Sequence, residues 1–137
     1  MKIDGGCHCG AVIYRAEIDP DAVIVCHCTD CQTLSGAAFR TVVPVRSENF
    51  LLLSGDLSTY VKIAESGAER AMKFCPTCGT QIYGTFVGDR PAAVSLRVGT
   101  VRQRAELIPQ RQIWCRSQVG WLSELETIPK SEREPEA

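Results

Sequence analysis

Cys26-His27-Cys28-Thr29-Asp30-Cys31 decides how this chain is read. Three thiols fall within six residues, directly after the apolar run Ala22-Val23-Ile24-Val25, which reads as a strand entering a tight turn. A disulfide between cysteines this close would strain the backbone, whereas thiolates at C-x-C plus C-x-x-C spacing converge on one soft, tetrahedral ion. Three ligands leave one position on a zinc ion for water or an incoming thiol, unless another part of the chain fills it.

Outward from this triplet lie two further knuckles. On the N-terminal side, Gly5-Gly6-Cys7-His8-Cys9-Gly10 is a glycine-flanked C-x-C in which the backbone can turn its amides toward the thiolates. On the C-terminal side, Cys75-Pro76-Thr77-Cys78-Gly79-Thr80 has the C-P-x-C-G form of a zinc ribbon knuckle, with proline shaping the turn and glycine following the second ligand. Tetrahedral zinc needs four ligands, and the two outer pairs supply four. The pairing Cys7, Cys9, Cys75 and Cys78 therefore predicts a saturated, structural site, leaving Cys26, Cys28 and Cys31 with a second ion. Combining the triplet with one pair would offer five candidates for four places and strand the other pair. Two zinc ions per chain are expected, the first contributing its binding free energy to folding.

Between the knuckles the sequence reads as strands. Ala11 to Ile18, Ala38 to Val45, Phe50 to Leu53, Gln81 to Val87, Ala92 to Val98 and Arg111 to Cys115 are rich in β-branched, aromatic and other apolar residues. Leu57 to Ile63 alternates apolar and polar residues as a half-buried strand does, and Glu65-Ser66-Gly67-Ala68 turns it into the returning strand Glu69 to Phe74. Pro44 suggests an edge or a strand end. Gln32 to Gly36 reads as a loop or a single helical turn, and no long amphipathic helix is expected. The fold class is thus all-β, in one domain over residues 1–129 with a mobile charged tail at 130–137.

Composition excludes several classes. A formal charge of -1 and a pI near 6.1 argue against binding nucleic acid through phosphate contacts. Two zinc ions on seven thiolates would take the net charge to about -4. No apolar run approaches a membrane span, and Met1 to Gly6 lacks the apolar core of a secretory signal, so a reducing cytoplasm is the expected location. In such a compartment 8 cysteines in 137 residues point to metal or redox chemistry.

Gly6-Cys7-His8-Cys9-Gly10, Cys26 to Gln32, Ser35-Gly36-Ala37, Ser54-Gly55 and Phe74 to Thr80 together resemble the glutathione-dependent formaldehyde-activating enzyme family, which includes centromere protein V-like proteins. The similarity runs from Gly5 to about Trp121. It implies a tent-like arrangement of small antiparallel sheets clamped by zinc, with Cys7, Cys9, Cys75 and Cys78 on the structural ion and Cys26, Cys28 and Cys31 on the catalytic one. It also implies a carbon-sulfur lyase whose partner is glutathione, the thiolate adding to formaldehyde to give S-hydroxymethylglutathione. The chain departs from the family pattern at Gln112, where many members have histidine, and at Gly120-Trp121, where many have proline before the tryptophan. Both positions fall where the substrate pocket is expected.

Other residues have two readings each. His27 lies in the middle of a C-x-C, so it points away from the metal and either packs, orients a ligand or moves a proton. His8 is expected to be structural. Cys115 is either a buried hydrophobe or the fourth ligand of the triplet. Ser35 and Gly36 form a turn or meet a substrate carboxylate. Trp114 and Trp121 suit core or pocket wall, and one or two of Arg97, Arg102, Arg104, Arg111 and Arg116 could meet the carboxylates of a glutathione-like ligand. The contrasting function is a non-enzymatic zinc-stabilised β module that binds a thiol or protein, or senses oxidants through the triplet.

Overall fold

The computed structural model describes residues 1–135, so the last two residues of the expected tail, 136 and 137, lie outside it. The strands are Lys2–Gly6 (β1), Ile13–Glu17 (β2), Ile24–Cys26 (β3), Arg40–Arg46 (β4), Phe50–Ser54 (β5), Ser58–Ile63 (β6), Glu69–Phe74 (β7), Gln81–Phe86 (β8), Ala93–Arg97 (β9) and Arg111–Ile113 (β10). One short α-helix, Thr29–Ser35 (α1), and several 3-10 turns complete the described chain. The all-β class is correct.

The strands form two sheets, a three-stranded one in the order β1-β2-β5 and a seven-stranded one in the order β10-β3-β4-β9-β8-β7-β6. Every strand pair is antiparallel except β10 with β3, which places Gln112 beside Val25 and Ile113 beside Cys26. The sheets share a core because period-two alternation turns apolar side chains of both inward. Ile3, Tyr14 and Ala16 of the smaller sheet cluster with Val43, Val45, Ile82, Val94 and Leu96 of the larger. Phe50 joins the layers, its ring 5.2 Å from Tyr14 and 5.1 Å from Tyr83. The Tyr14 hydroxyl bonds Thr100 Oγ1 at 2.8 Å, and Gly5 is required there because a Cβ would strike the Thr100 carbonyl and the Tyr14 ring. Burying each of the larger side chains contributes roughly 1.5–3 kcal/mol.

The same alternation gives the larger sheet a second, polar face. Val42 pairs with Arg97, Ser95 with Gly84, Gly84 with Met72, and Arg70 with Lys62, so these residues share one side of the sheet. This outer face forms the floor of the cleft described below.

Three local expectations change. The helix begins at Thr29, inside the cysteine cluster, because Cys28 caps it: the Cys31 N–H donates to Cys28 Sγ at 3.1 Å, and Gly36 ends it in the left-handed region. β6 is a sheet edge rather than a half-buried strand, with Tyr60, Val61 and Ile63 all exposed, because the smaller sheet packs over the middle of the larger one. Pro44 lies in a central strand, yet β3 pairs only with residues 40–42, so Pro44 bonds β9 on one side beyond the end of β3.

Candidate functional site

The two outer knuckles meet. Sγ atoms of Cys7, Cys9, Cys75 and Cys78 all lie within 4.8 Å of one another, with Cys7–Cys9 at 3.5 Å and Cys9–Cys75 at 3.8 Å. Four thiolates on zinc at 2.3 Å bonds stand about 3.8 Å apart, so the arrangement fits the ion. The Val12 N–H donates to Cys7 Sγ at 3.2 Å, and Thr80 Oγ1 lies 3.2 Å from Cys78 Sγ, holding that thiol down to about 5. Cys75 is fully buried and packs in the hydrophobic core, whereas Cys9 and Cys78 are exposed. His8 is exposed, its backbone N–H donating to Thr80 Oγ1 at 3.1 Å.

The triplet converges separately. Cys26 at the end of β3, Cys28 at the cap of α1 and Cys31 in its first turn bring three Sγ atoms within 4.8 Å. Cys31 Sγ donates to Cys26 Sγ at 3.3 Å; this contact pulls the Cys26 thiol well below its ordinary range and pushes Cys31 up. One thiolate is thus favoured even without an ion, and the three sulfurs fit three corners of a zinc site. Cys115, expected buried, is exposed and joins neither sulfur group. The adjacent Trp114 adopts φ 56, and the 3-10 turn Cys115–Ser117 that follows leaves the thiol in solvent.

A cleft of about 890 Å³ opens onto the triplet and not onto the quartet. Cys26, Cys28 and Cys31 form one wall, Trp114 and Arg116 another, and the floor is the polar face of the larger sheet. Arg40 on β4 is buried, its Nη1 donating to Cys31 Sγ at 3.7 Å and its Nη2 to Gln81 Oε1 at 2.9 Å. Arg97 is also buried, and desolvation first, then the neighbouring Arg40 charge, lowers its pKa to about 9. Of the five arginines singled out by sequence, Arg97 and Arg116 line the cleft; Arg102 is committed elsewhere, to Asp4. Arg40, Arg70 and Lys62 were missed. Their signal was the alternation of β4, β6 and β7, which places them opposite the core face.

His27 lies under the turn. It is 1% exposed and does not line the cleft; Nε2 bonds Gln112 Oε1 at 2.8 Å, and Phe39 packs edge-on at 5.8 Å. Gln112 thereby ties β10 to the triplet loop, aided by Gln32, whose Nε2 donates to the carbonyls of His27 and Ser117. Ser35 and Gly36 end α1 away from the cleft. Trp121 is half exposed.

The family model for the glutathione-dependent formaldehyde-activating enzyme matches residues 2–117. No curated protein matches significantly in sequence. Among solved structures, the chain is similar to the crystal structure of a Rhodobacter sphaeroides protein determined as a structural-genomics target, with a TM-score of 0.61 and 20% identity over 80% of this chain and 98% of that one. That likeness is one of fold. No described helix is long and apolar enough to cross a membrane.

Proposed function

The chain belongs to the glutathione-dependent formaldehyde-activating enzyme family, and we propose that it is a zinc-dependent carbon-sulfur lyase acting on the adduct of a glutathione-type thiol with a small aldehyde. The observation that carries this reading is the cleft that opens at Cys26, Cys28 and Cys31 and leaves Cys7, Cys9, Cys75 and Cys78 outside it. The quartet would hold a structural zinc ion and the triplet a catalytic one. When bound at the triplet, zinc supplies a Lewis acid that favours the thiolate form of a substrate at neutral pH.

In the proposed reaction a thiolate attacks the aldehyde carbon, a C–S bond forms as the carbonyl π bond breaks, and the oxygen takes up a proton to give the S-hydroxyalkyl product; breakdown reverses these changes. The chain's own residues confine thiol and aldehyde in one cleft and so gain from proximity. Trp114 forms an apolar wall, and the buried Arg40 offsets the negative charge of the sulfur cluster. With His27 bonded to Gln112 and absent from the cleft lining, the proton is better assigned to solvent than to that imidazole.

The 8 free cysteines suit a reducing compartment such as the cytoplasm. Metal analysis of reduced protein is expected to give two zinc ions per chain, and exchange NMR to show faster exchange between free formaldehyde plus glutathione and their S-hydroxymethyl adduct than with Cys28→Ser. One ion per chain, with an oxidisable triplet and no acceleration, would favour a redox-sensing module instead.

A further inference from the structure

Three guanidinium groups in the cleft have no carboxylate partner. The cleft's other two cations are paired, Lys62 with Asp30 at 2.8 Å and Arg116 with Glu65 at 2.9 Å. Arg40, Arg70 and Arg97 take part in none of the ion pairs among the described residues. Arg97 is 7% exposed; its Nη1 reaches only the Ser95 carbonyl and hydroxyl, its Nη2 only Met72 Sδ, and its buried Nε has no partner. Arg70 likewise has a buried, unpartnered Nε, and its guanidinium lies 4.3 Å from the centre of the Phe86 ring.

An unpaired buried cation is costly, and a guanidinium does not escape by losing its proton near neutral pH. The sulfur cluster answers only part of this charge: it touches Arg40, whose Nη1 is 3.7 Å from Cys31 Sγ, and acts on Arg97 without a hydrogen bond. Arg97 turns the other way, toward β8. There the sheet makes room for it: a Cβ on Gly84 would come within 2.8 Å of Arg97 Nη2. The guanidinium so accommodated lines the cleft, where an incoming carboxylate can reach it, and a guanidinium binds a carboxylate in a two-pronged fashion.

We infer that Arg97 and Arg70 form a carboxylate subsite that anchors the far end of a thiol ligand whose sulfur sits at Cys26, Cys28 and Cys31, beside Arg40. The inference rests on the proposed function only in taking the ligand to be a thiol. Strand spacing indicates which carboxylate is meant. Arg40 on β4 touches Cys31 Sγ, and β8, toward which Arg97 turns, lies two strands beyond β4, roughly 10 Å at about 4.8 Å per strand. An extended chain advances about 3.5 Å per residue, so the carboxylate stands two to three residue lengths from the sulfur. That matches a short peptide thiol. A carboxylate carried on a small aldehyde would stay beside the sulfur, next to Arg40 alone.

Calorimetric titration of the zinc-loaded protein with glutathione and with glutathione diethyl ester tests the subsite. The free acid is expected to bind at least tenfold more tightly than the diester, and Arg97→Gln to erase most of that preference; Arg70→Met serves as a second, half-buried position should Arg97→Gln fold poorly. Equal affinity for acid and diester, unchanged preference in both variants, or no binding of glutathione would overturn the inference. The exchange NMR experiment separates the two readings. A tenfold acid preference without acceleration leaves the subsite and removes the lyase, whereas acceleration with equal acid and diester affinity does the reverse.

Discussion

Arg40 Nη1 points at Cys31 Sγ across 3.7 Å, with both residues buried. Three thiolates on a divalent ion leave a net negative charge, and a guanidinium in contact with one sulfur stabilises that charge without occupying a coordination position. Arg40→Met is expected to keep the fold but release the triplet ion about 10- to 100-fold more readily to a chromogenic chelator, the usual cost of losing a partner of a metal ligand. Arg40→Lys should recover part of the loss. Equal release from wild type and Arg40→Met would show that the contact does not tune the metal.

The quartet predicts a different failure. Cys75 is fully buried in the core and ties the β7–β8 knuckle to Cys9 near the N-terminus. A saturated zinc site in a small domain contributes on the order of 10 kcal/mol to folding, comparable to the whole stability of a domain. Cys75→Ser is expected to be insoluble or unfolded by circular dichroism, and chelation of the wild type at 37 °C to unfold it. A soluble, folded Cys75→Ser chain with undiminished zinc would refute the pairing.

The cysteine groupings were legible in sequence because ligand spacing is local and tetrahedral coordination is a counting constraint. Cys75 to Cys78 reads as a knuckle wherever it lies, and the strands β7 and β9 follow from alternation and turn residues. What spacing does not carry is layer order. That β6 sits at an edge, or that Cys115 faces solvent, depends on what covers each element. Arg40 and Arg70 illustrate the same limit, and Arg97 stands out in sequence only as one of five arginines. Each is an ordinary polar residue of an alternating strand, and only the sheet order brings β4, β7 and β9 into one floor beside the triplet.

Asp4 provides a pH-dependent contribution. Its carboxylate accepts from Arg102 Nε and Nη2 and from Gln103 Nε2, and the Arg102 hydrogen bonds, then that of Gln103, lower its pKa from 3.8 to about 2. The native state therefore favours the ionised form. Its stabilisation is present in full above the ordinary carboxylate range and is lost as pH falls through about 2. Asp4→Asn should lower the urea midpoint modestly and by a constant amount from pH 7 to 5, with the gap to wild type narrowing below pH 4. A gap that widens on acidification would contradict this assignment.

Cys115 should react first with alkylating agents. It is exposed and belongs to neither sulfur group, whereas the other thiols are engaged once the metal sites are filled. Mass spectrometry of zinc-loaded protein after brief iodoacetamide treatment is expected to show a single adduct at Cys115, and Cys115→Ser to retain both zinc ions. Loss of one ion in Cys115→Ser would instead make this thiol a ligand.

Gly84 tests how the cleft floor is built. Gly84 pairs with Ser95 and Met72 in the middle of the larger sheet, a place where glycine weakens a strand unless something needs the space. Arg97 needs it: the added methyl of Gly84→Ala would sit 2.8 Å from Arg97 Nη2 and 3.0 Å from Met72 Cε. Both atoms are the far ends of flexible side chains, so they can shift at small cost, offset by alanine's lower conformational entropy cost. The displaced guanidinium would also leave the carboxylate it is inferred to hold. Gly84→Ala is thus expected to change the melting temperature little and to weaken glutathione at least fivefold, while leaving diester affinity unchanged. Equal weakening of acid and diester would mean that the methyl narrows the cleft rather than moving Arg97.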